Sequence, residues 1–351
     1  TYDKAIQFFG GGANSKIKGD STLVFDAEKN ATLRTLKFSP TNEGGWGSVL
    51  LAGGSNGGTI GGNAKIIING GLINNDETGT TYVKAFAAGA IDKTSTTGSL
   101  TVDGDAIAAM HGNWGNVQGS TALLAGPMVS KNNSTAVVKG QCIVTIDGEN
   151  AGAREVYPAG FLQASGSSIF VQSAQVDLVK GFVQDTIIGG AIWGASRLVV
   201  SGDIVVNVTD GTFSANSGRG RIFGGHDVEV NDGKGYVLGN TKITVSGGQG
   251  LNYVFGGGMV WRGNTAGTES IVKGNAYITF SGNSGINALS NDAKVFAGGR
   301  AQYPASADAK VEGNAYVEFK DITSTTFKGT LSGQGTDGDY KIDTYTNSVS
   351  G

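Results

Sequence analysis

This chain lacks the residues that several common protein designs depend on. Of its 351 residues one is Cys, Cys142, which excludes an internal disulfide framework. Its two His, His111 and His226, stand too far apart in sequence to give zinc-ligand spacing. Only 16% of residues are charged and the formal net charge is -3, so no basic footprint for nucleic acid exists. No apolar run approaches the roughly 20 residues of a membrane helix, so no membrane insertion is expected. Helical patterning is scarce as well. Apolar residues recur with period 2 rather than 3.6, and the runs are β-branched. Gly, by contrast, is abundant, with 60 residues against 4 Pro. It joins Asn, Asp and Ser in punctuating the apolar runs, the composition of an all-β chain with many turns.

The punctuation is periodic. A phrase of the form V-x-G-[N/D]-A-x-I-x-[V/I/F] begins at Ile17, Ile60, Val102, Val138, Phe170, Val200, Val237, Val272 and Val311, in steps of 30 to 43 residues. Its fifth copy has Gln172 where the others have Gly. A shorter phrase, one apolar residue followed by small ones, precedes each copy at Phe9, Leu51, Phe86, Leu124, Tyr157, Ile188, Phe223, Phe255 and Phe296. Repetition at this period means a solenoid. The shortest sum of segments is about 26 residues, enough for one coil, so each unit is one coil and the excess leaves as loops. The predicted fold is a single-stranded parallel β-helix of about nine coils over residues 1–335. Residues 336–351 are predicted as a C-terminal tail or an additional edge strand. Stacking at about 4.8 Å per coil gives a rod roughly 43 Å long.

Alternation places Val311, Ala315, Val317 and Phe319 on the face toward the axis. The position after the phrase's Gly reads Asp20, Asn63, Asp105, Gln141, Ser173, Asp203, Asn240, Asn275 and Asn314. Its Asp and Asn members are predicted to form a structural turn ladder. Gly and Asn there would tolerate positive φ, and each Asn or Asp side chain would bond the backbone of a neighbouring coil. The repeated Gly-Gly phrases alternating with V-x-G-N-A-x-I-x-F resemble bacterial surface proteins with right-handed parallel β-helix repeats, the autotransporter passenger and adhesin-like solenoids. The resemblance implies an extracellular, bacterial cell-surface setting. For function it implies only a choice among adhesins, stalks, filaments and glycan-active enzymes.

Few residues point to chemistry. Cys142 occupies the Ala position of the phrase and is expected as a small buried hydrophobe. His111 and His226 read as loop residues, and Asp147, Glu149 and Glu155 as a solvated loop. No catalytic residue, metal or cofactor is expected. Aromatic residues are the candidates for ligand contact. Trp193, Trp261 and Tyr303 follow the short phrase at similar distances, and Tyr277 and Tyr316 share an outward position on adjacent coils. Together they are expected to form a surface for sugar rings. Ile67, Ile107, Ile143 and Val205 make an outward apolar rank that side-by-side packing, as in a phage fibre or tailspike, would use.

No capping pattern is visible at either end, so stacking of the chain on itself or on adjoining solenoid segments is expected. The expected function is that of a non-enzymatic, structural or adhesive surface β-solenoid. It would assemble head-to-tail into a filament or form part of a longer rod, with surface glycans as further partners. The alternative is a polysaccharide-binding or polysaccharide-degrading β-helix.

Overall fold

The computed structural model describes residues 6–26, 49–69, 83–111, 121–214, 219–261, 267–301, 307–323, 327–333 and 335–337. The chain is a parallel β-helix. One coil runs through four strands, Leu251–Phe255, Met259–Val260, Thr268–Val272 and Ala276–Ser281. Each pairs in parallel with its equivalent one turn later, as Phe255 with Phe296, Val260 with Ala301, Val272 with Val311 and Ala276 with Ala315. One six-residue helix, Gly282–Asn287, leaves this coil before the next short strand. In the middle of the rod the connections shorten until strands merge, giving Thr135–Tyr157 and Ser168–Ile188.

The stack corrects two positions of the sequence reading. Val138 pairs with Val171, and Val171 with Val200, so the fifth phrase starts at Val171 rather than Phe170. Gln141 still pairs with Ser173, so this bend is one residue shorter and drops the Gly. A one-residue slip reverses every side chain, and Val171 is the one that reaches the axis. In the short phrase, Phe9 and Phe86 pair with Ala52, not Leu51. The stack also passes nine coils. Thr330–Ser332 pairs with Lys294–Phe296, and Thr336–Asp337 pairs with Arg300–Ala301. The remaining predicted tail, 338–351, lies outside the described residues.

Two apolar columns line the axis along the fourth strand. One runs Ile66, Ala108, Val144, Val176, Val206, Ile243, Ile278, and the other Ile68, Met110, Ile146, Leu178, Val208, Val245, Phe280, all buried. At the bend before this strand, Asp20 Oδ1 accepts the N–H of Asn63 (2.8 Å), Asn63 that of Asp105 (2.8 Å) and Asp105 that of Gln141 (2.8 Å). The series resumes with Asp203 accepting from Asn240 (2.8 Å), Asn240 from Asn275 (2.9 Å) and Asn275 from Asn314 (2.8 Å). Ser173, in the shortened coil, stands where the series breaks.

The Gly of the phrase has a different reason from positive φ, which none of these glycines adopts. A Cβ at Gly104 would lie 2.5 Å from Asn63 Oδ1, at Gly140 2.3 Å from Asp105 Oδ1, and at Gly239 2.5 Å from Asp203 Oδ1. The ladder itself therefore requires Gly one position before each residue that donates its N–H to it, whereas Gly19 and Gly202, before Asp20 and Asp203, meet no ladder oxygen.

Candidate functional site: the outer corner

Alternation along the short strand sends Ile222, Val254 and Val295 to the axis and Phe223, Phe255 and Phe296 outward. These outward rings are nevertheless fully buried. They belong to a second apolar cluster, distinct from the axial one, that also holds Phe161, Ala191 and Met259 from the two-residue strands. The outer faces of the short strand and the two-residue strand therefore turn toward each other across the Gly-Gly bend, forming a concave corner along the rod. Glycine at the bend lets adjacent coils stack closely: a Cβ at Gly224 would meet the carbonyl oxygen of its equivalent in the next coil, Gly256, at 2.3 Å. Phe223 and Phe255 stack at 4.6 Å with 1° between planes, and Phe255 and Phe296 at 5.1 Å with 11°.

Trp193 and Trp261 pack on this corner and keep part of their surface exposed. Trp193 meets Phe161 edge-on at 5.1 Å, and Arg300 lies over Trp261 at 4.5 Å. Each Trp directly follows a two-residue strand, Ala191–Ile192 or Met259–Val260. In the intervening coil Glu229 follows Asp227–Val228. Glu229 N–H donates to Ile192 O (2.9 Å) and Trp261 N–H to Val228 O (2.9 Å), which fixes Trp193, Glu229 and Trp261 in one column. Tyr253 packs on the same cluster from the facing strand. The other aromatic candidates do not join them. Tyr277 and Tyr316 stack on each other at 5.1 Å and 7° along the fourth strand, and Tyr303 lies outside the described residues.

The corner also gathers charge, which reverses the solvated-loop expectation for Glu155. The segment containing it is strand, and Glu155 pairs with Ala122 and Thr186 along the wall of the corner. Asp147 and Glu149, on the same long strand, are exposed. Burial raises the Glu155 carboxyl above its ordinary range, with Arg154 pulling the other way, and a hydrogen bond joins it to Tyr157. Burial, and then the charge of Glu155, push the Tyr157 phenol well up. Asp227 is 3% exposed, hydrogen-bonds Glu229, and has its carboxyl held well above the usual range by burial and by that neighbour's charge. Its Oδ1 has no hydrogen-bond partner. Arg221 and Arg154 both pair with Asp185, Arg154 at 3.6 Å. Sequence did not single out Glu155 and Asp227, because period 2 shows only that a side chain leaves the axis and not that the bend turns it into a corner.

The His111 reading changes, while His226 does lie between strands, in the bend before Asp227–Val228. His111 ends the strand Ala106–His111 and pairs with Asn69 and Asp147. His226 is fully buried, close to Gly190 and Gly235, and burial lowers its imidazole to about 4. Cys142 is fully buried, and burial pushes its thiol far up. Among the described residues no group of three or more His, Cys, Asp or Glu is placed to hold a metal ion. Comparison with protein-family models, curated proteins and solved structures returned no match. Fold and site together define a β-solenoid with a charged, aromatic-lined outer corner.

Proposed function

We propose that this protein is a structural and adhesive β-solenoid of a bacterial cell surface, and that its outer corner holds polysaccharide. One observation carries the reading: Trp193 and Trp261 flank Glu229 in a single column on the lip of a concave corner. Partly exposed indole faces give apolar platforms for sugar rings, and a carboxylate between them accepts hydroxyls. The rest of the rod supplies stiffness through its ladder bonds and stacked columns. Further partners on this reading are copies of itself stacked head-to-tail, or adjoining solenoid segments. The test is depletion of the protein by a panel of insoluble polysaccharides, compared between wild type and Trp193→Ala. Retention lost in the variant supports the reading, and no retention on any polymer refutes it. Electron microscopy of the native chain tests the filament: an axial repeat near one rod length supports it, and isolated rods at high concentration refute it.

A second reading, polysaccharide degradation, is favoured by two neighbouring carboxyls in the corner, Glu155 and Asp227, both shifted upward by burial, the direction a general acid requires. Release of reducing ends from a bound polymer, abolished by Asp227→Asn, would replace adhesion by catalysis.

A further inference from the structure

We infer that the outer corner takes a neutral polysaccharide rather than an acidic one, laid along the rod axis. This rests on the glycan-binding reading and names its ligand class. Trp193 and Trp261 are two coils apart, a rise of about 9.6 Å, the scale of two linked sugar rings. A chain parallel to the axis therefore meets both indoles and passes Glu229 between them. Asp227 lies two residues before Glu229 on the same face, buried and hydrogen-bonded to Glu229, so the carboxylate of the column rests on a buried carboxyl rather than on an apolar floor.

The charge of the corner decides against an acidic polymer. Recognition of carboxylate or sulfate favours an arginine whose fork faces the ligand. Here Arg154 and Arg221 are committed to Asp185, and Arg300 to the face of Trp261. Lys294 stands one coil beyond Tyr253 on the facing wall. Asp185 holds two of these cations, and Glu229, between the two indoles, meets a polyanion directly and repels it.

Affinity electrophoresis of the whole chain tests this, using hydroxyethyl cellulose and carboxymethyl cellulose as neutral and acidic polymers on one backbone. Retardation by the neutral polymer at least tenfold stronger than by the acidic one is expected. It should fall at least tenfold in Trp193→Ala and in Trp261→Ala. Glu229→Gln, which keeps the shape and removes the charge, should raise binding of the acidic polymer relative to the neutral one. Hydrogen exchange across the coils verifies that each variant is folded, and Trp261→Leu replaces Trp261→Ala if it is not. Equal or stronger retardation by the acidic polymer, lost in the Trp variants, overturns the ligand class and leaves the glycan-binding reading standing. No retardation by either polymer overturns the inference, and absence of binding across the insoluble panel as well removes the reading beneath it. Unchanged retardation in both Trp variants overturns the placement.

Discussion

The same substitution, Gly to Ala at the same place in the repeated phrase, should change sign along the rod. At Gly239 an added Cβ would lie 2.5 Å from Asp203 Oδ1 and 2.5 Å from the carbonyl carbon and oxygen of Gly202. Backbone cannot yield cheaply there, and the side chain that must move is the one accepting the Asn240 N–H at 2.8 Å. Overpacking costs about 1–3 kcal/mol. Disturbing a hydrogen bond to a charged acceptor adds about 1.5–3 kcal/mol if the bond is lost. Against this, Ala restricts the unfolded chain and stabilises by about 0.4–1 kcal/mol. Gly239→Ala should therefore destabilise by roughly 2–4 kcal/mol on these terms. At Gly19 nothing lies within 4 Å of the added Cβ and φ is not in the left-handed region, so Gly19→Ala should be neutral or stabilising. Asp203→Ala combined with Gly239→Ala should cost less than the two single effects added, because the clashing oxygen is gone. In a stack where coils contact only their neighbours, unfolding need not be two-state, so native-state hydrogen exchange is the assay. Faster exchange confined to the coils around Gly239 is expected. Equal effects of Gly19→Ala and Gly239→Ala would show that the Gly serves backbone conformation rather than the ladder, and would refute the argument.

Other consequences can be measured on the same protein. His226 has a folded value of about 4, below its ordinary 6.5, so the unfolded chain takes up the proton first. Its contribution is intact above pH ~6.5 and is lost as pH falls toward 4, by an amount on the order of 3 kcal/mol. Asp227 is shifted upward and works in the opposite direction, so the His term should be read as the difference between wild type and His226→Gln; an unchanged pH slope in the variant would contradict the burial. Phe255→Ala removes a buried ring stacked on both sides and should cost about 3–5 kcal/mol, while Phe255→Leu should cost less. A urea midpoint that barely moves in the Ala variant would mean the outer cluster does not hold the coils together. Cys142 should resist a thiol reagent in the folded protein and react on unfolding, and prompt modification under native conditions would place it wrongly.

Much of the architecture was legible because a solenoid is written one coil at a time. Alternation assigned axial and outward faces, and the outward column Val24, Ile67, Ala109, Thr145, Asp177, Asn207, Thr244, Thr279, Glu318 stands in register through the stack. Local spacing could not settle Phe170 against Val171 or Leu51 against Ala52, because either choice satisfies a short apolar pattern and only pairing with both neighbouring coils excludes one. The outer corner was invisible for a deeper reason. Period 2 says which side chains leave the axis, but whether they then meet water depends on the angle between consecutive strands. The Gly-Gly bend folds two outward faces together, so Phe255 and Asp227 are buried while Tyr316, equally outward on another strand, is exposed. Sequence alone determined the coil, its axial columns and the Asx ladder, since these repeat with the chain. Tertiary structure decided which outward residues share a corner, since that is set by a backbone angle between strands and carries no signature in the residues themselves.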